Sequence, residues 1–168
     1  MMSSRQPRVF AWWWLLVLFG LTACRTPVPD GYDPLVVRIF LEAHDSESGL
    51  SIRLPLTGTV LSVREKAVFS ETDIVNAEVV QVDLGKCLLL QLSSSAARDL
   101  YRLTVSNQGR RLVVVANDQP LGVRLIDRGL DEGNILVFLE VADDELPEIV
   151  RRVKETSNFV QKELKRKG

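Results

Sequence analysis

Few side chains in this sequence could carry covalent chemistry. Its 168 residues hold two cysteines, Cys24 and Cys87, and one histidine, His44. A thiol with a histidine base is the smallest nucleophilic pair, and serine with histidine and an acid is its oxygen counterpart. His44 stands in an acidic turn, HDSES, but nothing in the spacing brings Cys87 to it. A solvated loop histidine and a buried, hydrophobe-like Cys87 within KCLLLQL are the plainer readings. Acids gather at Asp127, Asp131 and Glu132 in DRGLDEGN, and again at Asp143, Asp144 and Glu145. The first group misses the D-x-[DN]-x-[DN]-G spacing of a calcium loop and reads as a polar turn. The second lies where a helix start favours carboxylates. No phosphate loop, nucleotide glycine fingerprint or zinc spacing is present. The sequence therefore predicts no catalytic site, no cofactor and no metal.

Cys24 is different, because its chemistry is set by what precedes it. MMSSRQPR carries Arg5 and Arg8 and no acid, and Val9 to Gly20 is an unbroken apolar run of twelve residues. A basic start, an apolar run and small residues at the exit make a secretory signal. A spanning helix needs about 20 apolar residues, although an uncleaved anchor from Val9 to Cys24 remains the alternative. Leu21-Thr22-Ala23-Cys24 resembles the bacterial lipobox. The resemblance implies a diacylglyceryl group on the Cys24 sulfur, cleavage between Ala23 and Cys24, and acylation of the new amino terminus. Two or more acyl chains hold a protein stably on a membrane, where one is marginal. The expected location is the cell membrane or outer membrane, lipid-anchored and facing the periplasm.

The chain from Cys24 to Gly168 has 145 residues, the size of one ordinary domain. Without Arg5 and Arg8 the 21 basic residues fall to 19 against 22 acids, a net charge of −3. That balance argues against a nucleic-acid binder. With Cys24 lipidated, Cys87 has no disulfide partner.

Prolines, glycines and polar turns divide the chain. Residues 1–23 form the signal, and 24–34, with three prolines in RTPVPDGYDP, an extended tether. Residues 35–168 make a single domain. LVVRIFLEA, LSIRLPL and GTVLSVRE read as strands, and Ser70 with Asp73 as the cap of one helical turn. NAEVVQVDL and CLLLQLS flank a hairpin turn expected at Gly85-Lys86. Ser93 to Ser95 offer caps for a helix with Ala96, Leu100, Leu103 and Thr104 on one face, ended by Gly109. RRLVVVAN and QPLGVRLID pair around Asn117-Asp118, and NILVFLEV is the last strand. A final helix starts at Asp143-Asp144 and runs to about Lys167. The expected class is α+β: a mainly antiparallel sheet, one central helix and a long C-terminal amphipathic helix.

The middle of the chain resembles the head part of the first periplasmic domain of SecD, a protein-export subunit. Asp73-Ile74 matches that family's strand-opening turn, Ala96 to Thr104 its small-residue helix, and Gly109 to Val114 with Asn117-Asp118 its following strand and turn. The resemblance spans roughly Phe69 to Val153. It implies the fold and contact with unfolded or exported polypeptide. LDEGN, Leu130 to Asn134, departs from the family's glycine-rich stretch, and no set of membrane helices follows, so no motor is implied. Fold analogy does not by itself carry function.

On the last helix, Leu146, Val150, Val153, Ser157, Val160 and Leu164 form a heptad seam with basic residues on the other faces. The seam either docks on the sheet, or supports weak self-association over 144–167, or leaves a basic stretch on anionic lipid. The leading expectation is a membrane-anchored lipoprotein whose domain binds protein without catalysis, as an accessory to protein export. The alternatives are a self-associating structural envelope protein, and a periplasmic hydrolase using serine or Cys87 with His44.

Overall fold

The computed structural model describes residues 32–167. The expected signal, the lipidation residue Cys24 and most of the tether lie outside the described residues. Asp33 to Gly168 forms one compact unit.

Among the described residues, eight strands and two helices succeed one another: β1 (Val37–Leu41), β2 (Leu50–Arg53), β3 (Val60–Val63), β4 (Ile74–Val82), β5 (Gly85–Leu92), α1 (Ser94–Ser106), β6 (Arg111–Ala116), β7 (Gln119–Leu125), β8 (Asn134–Leu139) and α2 (Leu146–Lys167). Six strands make one antiparallel sheet in the order β1-β6-β7-β8-β5-β4, and β2-β3 stands apart as a hairpin. This is the α+β class expected.

Alternation explains the layers. Val37, Ile39 and Leu41 of β1 point to one face with Leu112 and Val114 of β6, Leu88 and Leu90 of β5, and Ile135 and Val137 of β8. Both helices pack on that face, α1 through Ala96 and Leu100, α2 through Val150 and Val153. The opposite face has a smaller core, in which Leu54, Leu61 and Val63 of the hairpin region cover Val113 and Val115, with Phe40 and Val123 alongside. β6 is apolar at every position from Leu112 to Ala116 because both of its faces are covered.

The local signals operate as chemistry requires. Ser93 caps α1, its hydroxyl accepting from the Ala96 N–H. Asn117 and Asp118 adopt φ of 46° and 64°, the paired left-handed conformation of a tight two-residue hairpin. Three expectations need correction. The β4-β5 turn is Asp83-Leu84, since Val82 pairs with Gly85 and Gln81 with Lys86. Gly85, at φ 124°, is the first strand residue, where its freedom is used to leave the turn. Ser70 does not cap a helical turn: the Asp73 carboxylate accepts the Ser70 N–H at 2.9 Å and Asp73 N–H returns to Ser70 O at 3.0 Å, closing a turn. Asp143 to Glu145 form a turn, and α2 begins at Leu146 with Pro147 in its first turn, where a missing N–H costs nothing.

Asp33 and Pro34, at the end of the expected tether, are held by the domain. Arg152 pairs with the Asp33 carboxylate at 2.8 Å, and Asn117 Nδ2 donates to Pro34 O at 3.2 Å. One residue on, the Leu35 N–H donates to buried Thr156 Oγ1 at 2.9 Å.

Candidate functional site

The structure separates the residues that could have made a nucleophilic site. His44 is exposed in the turn after β1; its N–H donates to Glu47 Oε2 at 3.1 Å, and Glu47 N–H donates to His44 O at 2.8 Å. Cys87 lies on β5, four strands away in the sheet order, fully buried, with its sulfur 3.6 Å from Val80 O. Burial pushes its thiol pKa up, with nearby Arg124 opposing only in part. A protonated, inaccessible thiol is not a nucleophile.

Of the candidate acids, Asp127 and Asp143 each face a base and the other four lie exposed. Asp127 pairs with Arg124 at 3.1 Å, while Asp131 and Glu132 are exposed in the loop before β8. Asp143 reaches Lys86 at 3.9 Å, and Asp144 and Glu145 are exposed in the turn before α2. Among the described residues no group of three or more His, Cys, Asp or Glu side chains is placed to hold a metal ion.

The heptad seam of α2 docks inward. Leu146, Val150, Val153 and Ser157 are buried, whereas Val160 is half-buried and Leu164 is 47% exposed. The helix lies chiefly on β4, and Gln161 Nε2 ties its later turns to Thr72 O at 3.0 Å. No helix among the described residues is long and apolar enough to cross a membrane.

What the fold leaves open is a surface. Cross-strand partners share a face, so Phe40, Val113, Val123 and Phe138 form one row across β1, β6, β7 and β8. The β2-β3 hairpin covers the first part of that row. It ends short of Phe138, which is 41% exposed. Beyond it lies a depression of about 290 Å³ lined by Val82, Leu84, Cys87, Leu136 and Phe138, with Arg124 and Asp83 at the rim. Leu84 at the β4-β5 turn is almost fully exposed. An apolar floor with a charged rim suits a protein partner better than a small polar substrate. No motif in the sequence pointed to this surface. Its signal was the pair of near-continuous apolar runs, KCLLLQL and NILVFL, which imply cover on both faces; only one face is fully covered.

The hairpin tip is fixed. Glu140 Oε2 accepts the Leu56 and Thr57 N–H groups, each at 2.9 Å, and Oε1 the Thr57 hydroxyl at 2.7 Å. Burial pushes the Glu140 carboxyl pKa up, but these bonds outweigh it and hold the group below its ordinary value.

Solved structures of SecDF share this fold. SecDF, a membrane component that enhances protein export, matches with a TM-score of 0.55 and 15% identity, over 73% of this chain and 63% of that one. SecDF in a super-membrane-facing form gives 0.56 and 16%, over 71% of this chain and 18% of that one. SecDF from Thermus thermophilus, a translocon-associated membrane protein, gives 0.51 and 15%, over 74% and 20%. The chain spans less than two thirds of the first of these and about a fifth of the other two. At such identity the likeness is one of fold, a SecD-like domain. No protein-family model matches the chain, and no curated protein matches it in sequence.

Proposed function

We propose that this chain is a non-enzymatic, protein-binding accessory module of protein export, held at the periplasmic side of a membrane by lipid on Cys24. The SecD-like fold is the observation that carries the reading, because the SecDF structures it resembles belong to an export component. The separation of His44 from Cys87 and the burial of the Cys87 thiol support the absence of catalysis. The half-covered apolar face beside Phe138 supports protein contact. LTAC after the twelve-residue apolar run supports the lipid anchor.

Two measurements test the two halves of this reading. Metabolic labelling with a tagged fatty acid should mark the parent protein and not Cys24→Ser, since a serine hydroxyl cannot form the thioether; equal labelling of both, or of neither, removes the anchor. A photo-crosslinking residue at Phe138 should capture exported polypeptides in cells secreting protein. Failure to capture any polypeptide removes the binding module. The self-association reading has less support, because its seam is buried against the sheet as far as Ser157.

A further inference from the structure

The two edges of the six-stranded sheet are treated differently. The outer side of β1 is closed by the segment after β3: Ile39 N–H donates to Phe69 O at 2.9 Å, Val68 N–H to Ile39 O at 2.7 Å, and Arg64 N–H to Leu41 O at 2.9 Å. The other edge is β4, which pairs with β5 alone. Among the described residues no strand or loop lies in register on its outer side. In an antiparallel pair every second residue turns its N–H and C=O away from its partner, so β4 presents an unpaired row of donors and acceptors. Its helix neighbour α2 packs on its face and cannot complete a ladder.

Edge strands are ordinarily blunted by lysine, proline, shortness or a bulge. β4 has nine residues, with no lysine and no proline. Its single bulge lies between Ile74 and Asn76, at one end, and Asn76 to Val82 pair regularly with β5. That regular stretch is about 23 Å long at roughly 3.3 Å per residue, enough to template a full strand. Charge narrows the occupant. From Glu71 to Asp83 the strand and its flanking turns carry Glu71, Asp73, Glu78 and Asp83 and no base. A second copy laid antiparallel on this edge would set acid against acid. An extended segment bearing lysine or arginine would set base against acid, a favourable cross-strand pair.

We infer that the open edge of β4 binds an extended, lysine- or arginine-bearing polypeptide segment as an added strand of the sheet. The inference rests on the protein-binding reading above and names how that binding is made. Backbone pairing supplies affinity with little demand on sequence, and Glu78 supplies the preference for basic segments. The apolar residues Val80 and Val82 of the same strand, beside the Phe138 depression, offer contact to alternate side chains of the segment.

The test uses the full chain in detergent with three labelled nine-residue peptides. One alternates valine with lysine and threonine, one replaces lysine with glutamate, and one replaces alternate residues with proline. The lysine peptide should bind and slow amide exchange in 76–82. The proline peptide, with proline at the alternate positions whose N–H groups would face β4, should bind at least about tenfold more weakly. The glutamate peptide should be weaker by about tenfold at low salt, and Glu78→Lys should reverse that preference. Equal binding of the proline peptide, protection away from 76–82, or no binding by any peptide overturns the inference. Capture of exported polypeptide at Phe138 together with any of those results would leave the protein-binding reading standing and remove only the edge.

Discussion

The Thr57 hydroxyl donates to the Glu140 carboxylate at 2.7 Å across 83 residues of sequence. This contact fastens the tip of the β2-β3 hairpin to the end of β8, and so decides how far the hairpin reaches over the outer face of the sheet. The rest of that face holds the depression beside Phe138.

Glu140→Ala should therefore release the tip without dissolving the domain. Two backbone N–H groups and a hydroxyl lose a charged acceptor at a partly solvated site, where water replaces much of the interaction, so the cost should be about 1 kcal/mol. Amide exchange at Leu56 and Thr57 should rise while β6 stays protected. Unchanged exchange at those two amides would show that the hairpin is held by its apolar side alone.

Acid stability should report on Glu47. Arg64 grips its carboxylate through Nε at 3.0 Å and Nη2 at 2.7 Å, His44 N–H adds a third bond, and Arg110 lies at 3.4 Å. The Arg64 hydrogen bonds, then the His44 N–H, hold its pKa down at about 2 against an ordinary 4.5. A depressed folded-state pKa means that the unfolded chain takes up the proton first, so this contribution is complete above pH 4.5 and is lost as pH falls toward 2. Thermal melts of the parent and Glu47→Gln should differ at pH 6 and converge near pH 2. A constant gap across that window would remove Glu47 from the acid transition.

Leu100 is fully buried where α1 meets the sheet. Leu100→Ala should cost about 2–5 kcal/mol through the lost transfer energy and the cavity. Leu100→Asp should unfold the domain, because the charge would be buried without a partner at a cost of several kcal/mol. Circular dichroism and melting of the aspartate variant matching the parent would overturn the placement of that helix face.

In a Cys24→Ser background, Cys87 is the single thiol. It should resist a small thiol reagent in the folded protein and react in denaturant, since the sulfur is buried and its pKa raised. Phe138→Ala, which opens the depression the two residues line, should speed labelling several-fold with little change in the melt. Rapid labelling of the folded parent would place Cys87 at the surface instead.

How much of the fold was legible in the sequence depended on range. Ser93 capping α1, the Asn117-Asp118 turn, the face of α1 bearing Ala96 and Leu100, and the run of α2 to Lys167, though not its first residue, are set within a few residues by capping, left-handed tolerance and 3.6-residue periodicity. Even local signals failed where two were close together. Gly85 reads as a turn residue, yet it leaves the turn that Asp83 and Leu84 make.

Apart from the turns at Ser70, Asp83 and Asp143, the sequence by itself determined which segments are strands and helices, that His44 stands in a polar turn and Cys87 in an apolar strand, and that Leu21 to Cys24 carry a lipobox-like spacing; these are properties of neighbouring residues. Tertiary structure alone decided the strand order, which sets Cys87 on β5 apart from His44 in the turn after β1, and the fastening of Thr57 to Glu140. It alone also decided that β1 is sealed while β4 is open. Pairing of distant strands is chosen by how all the apolar faces can be buried at once, and no window of adjacent residues contains that information.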